Sequence, residues 1–174
     1  MSAAGFFGKV PARGDFVERG LPRPLTDALE VWAKAGLATF ADHRPQSWLQ
    51  DYLVSPIWRF SGAFSGRAWA GVLCPSVDAA GRYFPIALVA EQSDDEGGEV
   101  YFSDAEALAR DALRPEGFDF SAWSDRVSSL RRPLSTSAAW RSGAVSRPVD
   151  GELFSTPSYA DLLESVASET EITL

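Results

Sequence analysis

Three charged side chains crowd the start of the chain: Lys9, Arg13 and Asp15, within the run Gly5-Phe6-Phe7-Gly8-Lys9-Val10-Pro11-Ala12-Arg13-Gly14-Asp15-Phe16. A guanidinium and a carboxylate flanking a glycine turn suit two roles, charge-assisted hydrogen bonding inside the fold or display to a binding partner. Gly5, Gly8 and Gly14 invite comparison with a phosphate-cradling loop, but no Gly-Lys-Ser or Gly-Lys-Thr follows, and the dinucleotide-binding spacing is absent. Arg13-Gly14-Asp15 also spells a cell-adhesion tripeptide, for which chance is the better explanation in a chain that begins without an export signal.

Nucleophilic catalysis would have to use the single histidine, His43, in the polar connection Asp42-His43-Arg44-Pro45. Nothing around it resembles a nucleophile elbow or a cysteine-containing active-site motif, so no catalytic role is expected. One histidine and one cysteine exclude a His- or Cys-rich metal site. The acidic run Ser93 to Glu99 lacks the spacing of a calcium loop and reads as a solvated connection. No cofactor is expected. What remains is a set of charges at the ends of strands: Lys9, Arg13 and Asp15 at the start, Arg59 further on, and Asp78 and Arg82 around a turn. If the opening strand lies beside the later ones, Arg13, Asp15, Asp78 and Arg82 form a charge-assisted network bracing two connections; the alternative is a partner-binding patch.

The elements that position these residues read as follows. A short strand opens the chain and Pro11 ends it, with a further short strand at Asp15 to Val17. Leu25, Leu29, Trp32, Ala33, Leu37 and Phe40 recur at a helical period, and Gln46 to Leu53 forms a second, shorter helix ended by Ser55-Pro56. Ile57 to Gly62, Trp69 to Cys74 and Tyr83 to Ala90 make a three-strand antiparallel meander, with Pro85 marking an edge or bulge near the start of the third. Ser103 and Glu106 spell a capping box for a helix from Asp104 to Leu113, and Phe118 to Leu130 supplies another. Ser137 to Ala144 reads as a short strand around Trp140, and Ser158 to Val166 as a terminal helix before frayed last residues. The six tryptophans are mostly core by spacing.

These elements predict an α+β fold in one domain over residues 1–174: a mostly antiparallel sheet, with the meander at its centre, packed by helices. A motif-bearing core spans 5–92 and an acidic helical part spans 93–174. The formal charge of −8 argues against nucleic acid or anionic membrane as partners. It is unevenly placed: residues 1–90 carry seven acids and nine bases, residues 91–174 seventeen acids and seven bases. A basic partner is therefore expected to meet the second part. Without a basic leader or an apolar run of about 20 residues, the expectation is a cytoplasmic protein with no membrane insertion. Cys74, the single cysteine, reads as an inert core thiol. Whether two copies associate as a homodimer stays open.

Three blocks in order, Gly5 to Phe16, Tyr52 to Phe60, and Trp69 to Asp78 continued by Gly81-Arg82-Tyr83-Phe84-Pro85, resemble the TagF (ImpM) family of type VI secretion-associated proteins. The chain departs from the family pattern at Leu29-Glu30 and at Ala79. The resemblance implies a non-enzymatic cytoplasmic accessory protein that represses assembly or firing of the secretion machine after translation by binding its forkhead-associated scaffold protein. The element order β-β-α-β-β-β-α-α looks like the longin or roadblock arrangement, a comparison by pattern alone. Two alternatives stay open: the residues leave a small ligand- or nucleotide-binding domain built on the opening stretch, and the resemblance leaves an adaptor or chaperone for another secretion component.

Overall fold

The computed structural model describes residues 4–93, 99–133 and 137–172. Among them, one antiparallel sheet holds β1 (Gly5–Gly8), β2 (Val17–Arg19), β3 (Trp58–Phe64), β4 (Arg67–Cys74), β5 (Ile86–Glu91), β6 (Ala139–Ser142) and β7 (Val145–Pro148), in the order β2-β1-β5-β4-β3-β6-β7. Helices α1 (Arg23–His43), α2 (Trp48–Leu53) and α5 (Tyr159–Ile172) pack on one face, and α3 (Glu99–Ala112) and α4 (Phe120–Ser128) on the other. The α+β fold and the central meander stand as the sequence predicts.

Alternation along each strand sorts side chains between the two faces. Phe7, Trp58, Phe60, Trp69, Leu73, Ala87 and Val89 enter the core under α1 and α5, while Phe6, Ala70, Val72, Ile86, Leu88 and Ala90 enter the core under α3 and α4. Strand β5 is covered on both faces, which explains its unbroken apolar run. Ser65 and Gly66 both take positive φ, 49° and 76°, so Phe64 pairs directly with Arg67 and the β3–β4 hairpin closes in a two-residue turn.

Several boundaries differ from the sequence reading for physical reasons. The short second strand lies at Val17–Arg19 rather than Asp15 to Val17, with Val17 opposite Gly8. The third meander strand begins after Pro85, which has no amide to donate, and Tyr83 instead bridges to Val77. Helix α3 starts at Glu99, so Ser103 lies inside it and caps nothing. Tyr101, Ala105, Leu108, Ala109 and Ala112 form one buried stripe along it, and that packing outweighs the local capping signal. Glu106, freed from a capping role, reaches across to Arg59 at 2.6 Å. Residues 93–174 are not purely helical, because β6 and β7 extend the sheet through the Gly143-Ala144 turn. The acidic stretch at 94–98 and the last two residues, expected as a solvated loop and a frayed end, lie outside the described residues.

Candidate functional site

Strand β1 ends at Gly8, whose φ of +144° and close approach to the Pro85 carbonyl leave no space for a side chain. The Lys9 amide then donates to Pro85 O at 3.3 Å, and the Lys9 side chain turns inward, where it is only 7% exposed. Its Nζ lies 3.1 Å from Asp78 Oδ2 and 4.9 Å from the centre of the Phe16 ring. Phe16 is held in turn by stacking on Phe7 and edge-on contact with Phe84. The ammonium thus sits between a carboxylate and an aromatic face, two partners that offset its desolvation.

Asp78 is the hub. It opens a turn in which its amide donates to Arg82 O at 3.0 Å and the Gly81 amide, at a φ of +81°, donates to Asp78 O at 3.1 Å. Its buried side chain accepts the Ala80 and Arg82 amides on Oδ1, each at 2.9 Å, and Arg82 Nε on Oδ2 at 2.8 Å beside Lys9. Burial by itself would raise this carboxyl, but the Arg82 amide, the Lys9 ammonium and the Ala80 amide more than reverse that and hold it well below the usual carboxylate range. The turn is stitched to the opening loop twice, by the Ala79 amide donating to Arg13 O at 2.7 Å and by the Arg82 guanidinium donating to Gly14 O. From beneath, the Tyr52 hydroxyl donates to Ser76 O and accepts from the Ser76 amide, anchoring the turn to α2.

The structure therefore brings together Lys9, Asp78 and Arg82, and places the other two candidates differently. Arg13 and Gly14 contribute carbonyls, while the Arg13 guanidinium lies 4.5 Å over the Phe120 ring of α4. Asp15 is exposed and accepts its neighbour's amide, Phe16 N, at 2.7 Å. Tyr52 and Phe16 escaped the sequence reading as supports of this site; a tyrosine on a short helix beside a Ser-Pro stop carries no local sign of a distant backbone partner. Arg59 stands apart under α3, paired with Glu106.

The remaining candidates fall elsewhere. His43 ends α1 on the surface, with Nδ1 4.0 Å from Glu164. Cys74 is buried, and burial pushes its thiol up to about 12. Among the described residues no three His, Cys, Asp or Glu side chains gather as a metal site, and no helix is long and apolar enough to cross a membrane. The larger clefts lie between α3 and α4 and between α1 and the segment before α5; Arg13, Asp15 and Asp78 line neither.

A family model described as the TagF N-terminal domain, type VI secretion system-associated, matches residues 5–130. The chain is also similar to the crystal structure of PA0076 from Pseudomonas aeruginosa PAO1, at 30% identity and a TM-score of 0.71, covering 94% of this chain and 78% of that one. No curated protein sequence matches it.

Proposed function

The chain belongs to the type VI secretion-associated TagF N-terminal domain family, and on that basis we propose that it is a non-enzymatic accessory protein of the secretion machine. In this reading it binds the forkhead-associated scaffold protein in the cytoplasm and restrains assembly or firing after translation. The observation that carries the binding-platform part is the state of Asp78. Both of its oxygens are taken, by two amides, a guanidinium and an ammonium, so the carboxylate has nothing left with which to abstract a proton or ligate a substrate. A charge spent in this way fixes the shape of a surface.

The experiment is association of the two purified proteins at micromolar concentration and low salt, read by calorimetry. A measurable dissociation constant, together with loss of secretion when the chain is overproduced in a secretion-competent cell, is expected. Absence of association under those conditions overturns direct scaffold binding.

A further inference from the structure

Two arginines stand directly opposite each other in the sheet, Arg59 of β3 and Arg141 of β6. Both project to the α3 side, since their neighbours Phe60 and Trp140 enter the core under α1 and α5. Opposite residues on one face hold their β-carbons about 4.5–5.5 Å apart, and like charges at that range repel. The fold nonetheless gathers the two guanidiniums over one buried ring, Phe102 of α3, at 5.4 Å and 6.0 Å from its centre. Neither side chain is fully in water, and that of Arg59 is 27% exposed. With Ile57, Glu106, Ser142 and Gly143 they line a cleft of about 380 Å³.

The charges around this cleft do not balance among the described residues. Glu106 is the one acid that lines it, and two bases share that carboxylate, Arg59 Nε at 2.6 Å from Oε1 and Arg110 at 3.7 Å from Oε2. Three guanidiniums thus surround one carboxylate, a positive centre on a chain whose formal charge is −8. We propose that the cleft is an oxyanion site that takes a phosphoryl group. Guanidinium forks on neighbouring strands can each offer parallel donors to a different edge of a tetrahedral oxyanion. A carboxylate ligand has only two oxygens, and Glu106 already brings Arg59 a partner of that kind. Partial burial lowers the local dielectric and strengthens the attraction beyond what surface arginines give. The cleft is larger than a bare phosphate ion and Ile57 gives it an apolar wall, so a phosphate monoester with a small organic group fits it best. Glu106 competes with that ligand for Arg59 and sets its affinity.

The test titrates the full chain with phenyl phosphate, inorganic phosphate and benzoate at constant ionic strength, following the backbone amide resonances of β3 and β6 and the melting midpoint. Phenyl phosphate is expected to bind saturably with a dissociation constant below about 1 mM, and benzoate roughly tenfold more weakly. Arg141→Gln lowers the phenyl phosphate affinity about tenfold, and Arg141→Lys, which keeps the charge but loses the fork, about fivefold. Glu106→Gln removes the competing carboxylate and raises it about threefold, although the protein is less stable, a gain that a purely structural ion pair would not produce. Arg23→Gln, 82% exposed on α1 at the other face of the sheet, binds as wild type. If inorganic phosphate binds as tightly as phenyl phosphate, the phosphoryl assignment stands with the free ion as ligand. If benzoate binds as tightly, selectivity for a phosphoryl group is overturned. Shifts that do not saturate, or affinity unchanged in Arg141→Lys and not raised in Glu106→Gln, overturn the site itself.

Discussion

The two faces of the sheet are built from different materials. Under α3 and α4 the strands present Ala70, Val72, Ile86, Leu88 and Ala90, small or aliphatic residues, with Phe6 the one aromatic among them. Under α1 and α5 they present Trp58, Phe60, Trp69 and Trp140, and here Phe60, Trp140, Trp32, Phe154 and Tyr159 interlock through rings 4.6–6.2 Å apart. The aliphatic face is closed entirely by residues up to Leu130, within or next to the family-matched segment. The aromatic face is closed by α1 and α2 together with Trp140, Leu153, Phe154, Tyr159, Leu162 and Leu163, which all lie beyond it. One face is self-sufficient, and the other depends on the second half of the chain and leaves a groove at its seam.

The largest expected effect comes from ending the chain at residue 130. That removes the aromatic lid and two sheet strands, and the shortened protein should show no cooperative unfolding transition by circular dichroism; a sharp transition would mean that the aromatic face closes without them. Next, Trp140→Ala should cost about 3–5 kcal/mol in urea denaturation, as large as a core aromatic deletion gets, because three ring partners are lost at once. Leu88→Ala on the aliphatic face should cost about 2–5 kcal/mol.

Asp78→Asn tests a third, ionic kind of closure. It leaves the Lys9 ammonium buried without its carboxylate, so the melting midpoint should fall. Because the folded state depresses the Asp78 carboxyl, its contribution is complete above the ordinary value near pH 4 and is lost as pH falls below it. Wild type should therefore lose more stability than the Asn variant between about pH 5 and pH 3, in parallel urea titrations. Val31→Arg is the smallest of these in stability terms, within about 0.5 kcal/mol of wild type, since the side chain already faces water.

The sequence carried the meander and the long first helix because their periodicities, two and 3.6, are dictated by the faces they bury. It missed β7, where Val145-Ser146-Arg147-Pro148 has one strong strand former and only a half-buried face, and is held by pairing with β6 and by Arg147 donating to Ser165 Oγ at 2.6 Å. It misplaced the start of α3, where a capping box at Ser103 was outweighed by the buried stripe through Tyr101. At the turn, Asp78 and Arg82 were legible as a pair because the turn brings them together locally. Lys9 stood out only as one more charge, since nothing in Gly-Lys-Val says that the side chain turns inward. Arg13 and Asp15 looked like members of the same network, but contact with Phe120 and the local Phe16 amide claimed their side chains.

Scaffold affinity of Asp78→Asn and of wild type, measured side by side well below both melting midpoints, separates support from contact. The turn as support predicts a less stable Asp78→Asn protein that binds within about twofold of wild type. The opposite pattern, lost binding with unchanged melting for Asp78→Asn, would contradict that assignment and place the contact at the charged turn.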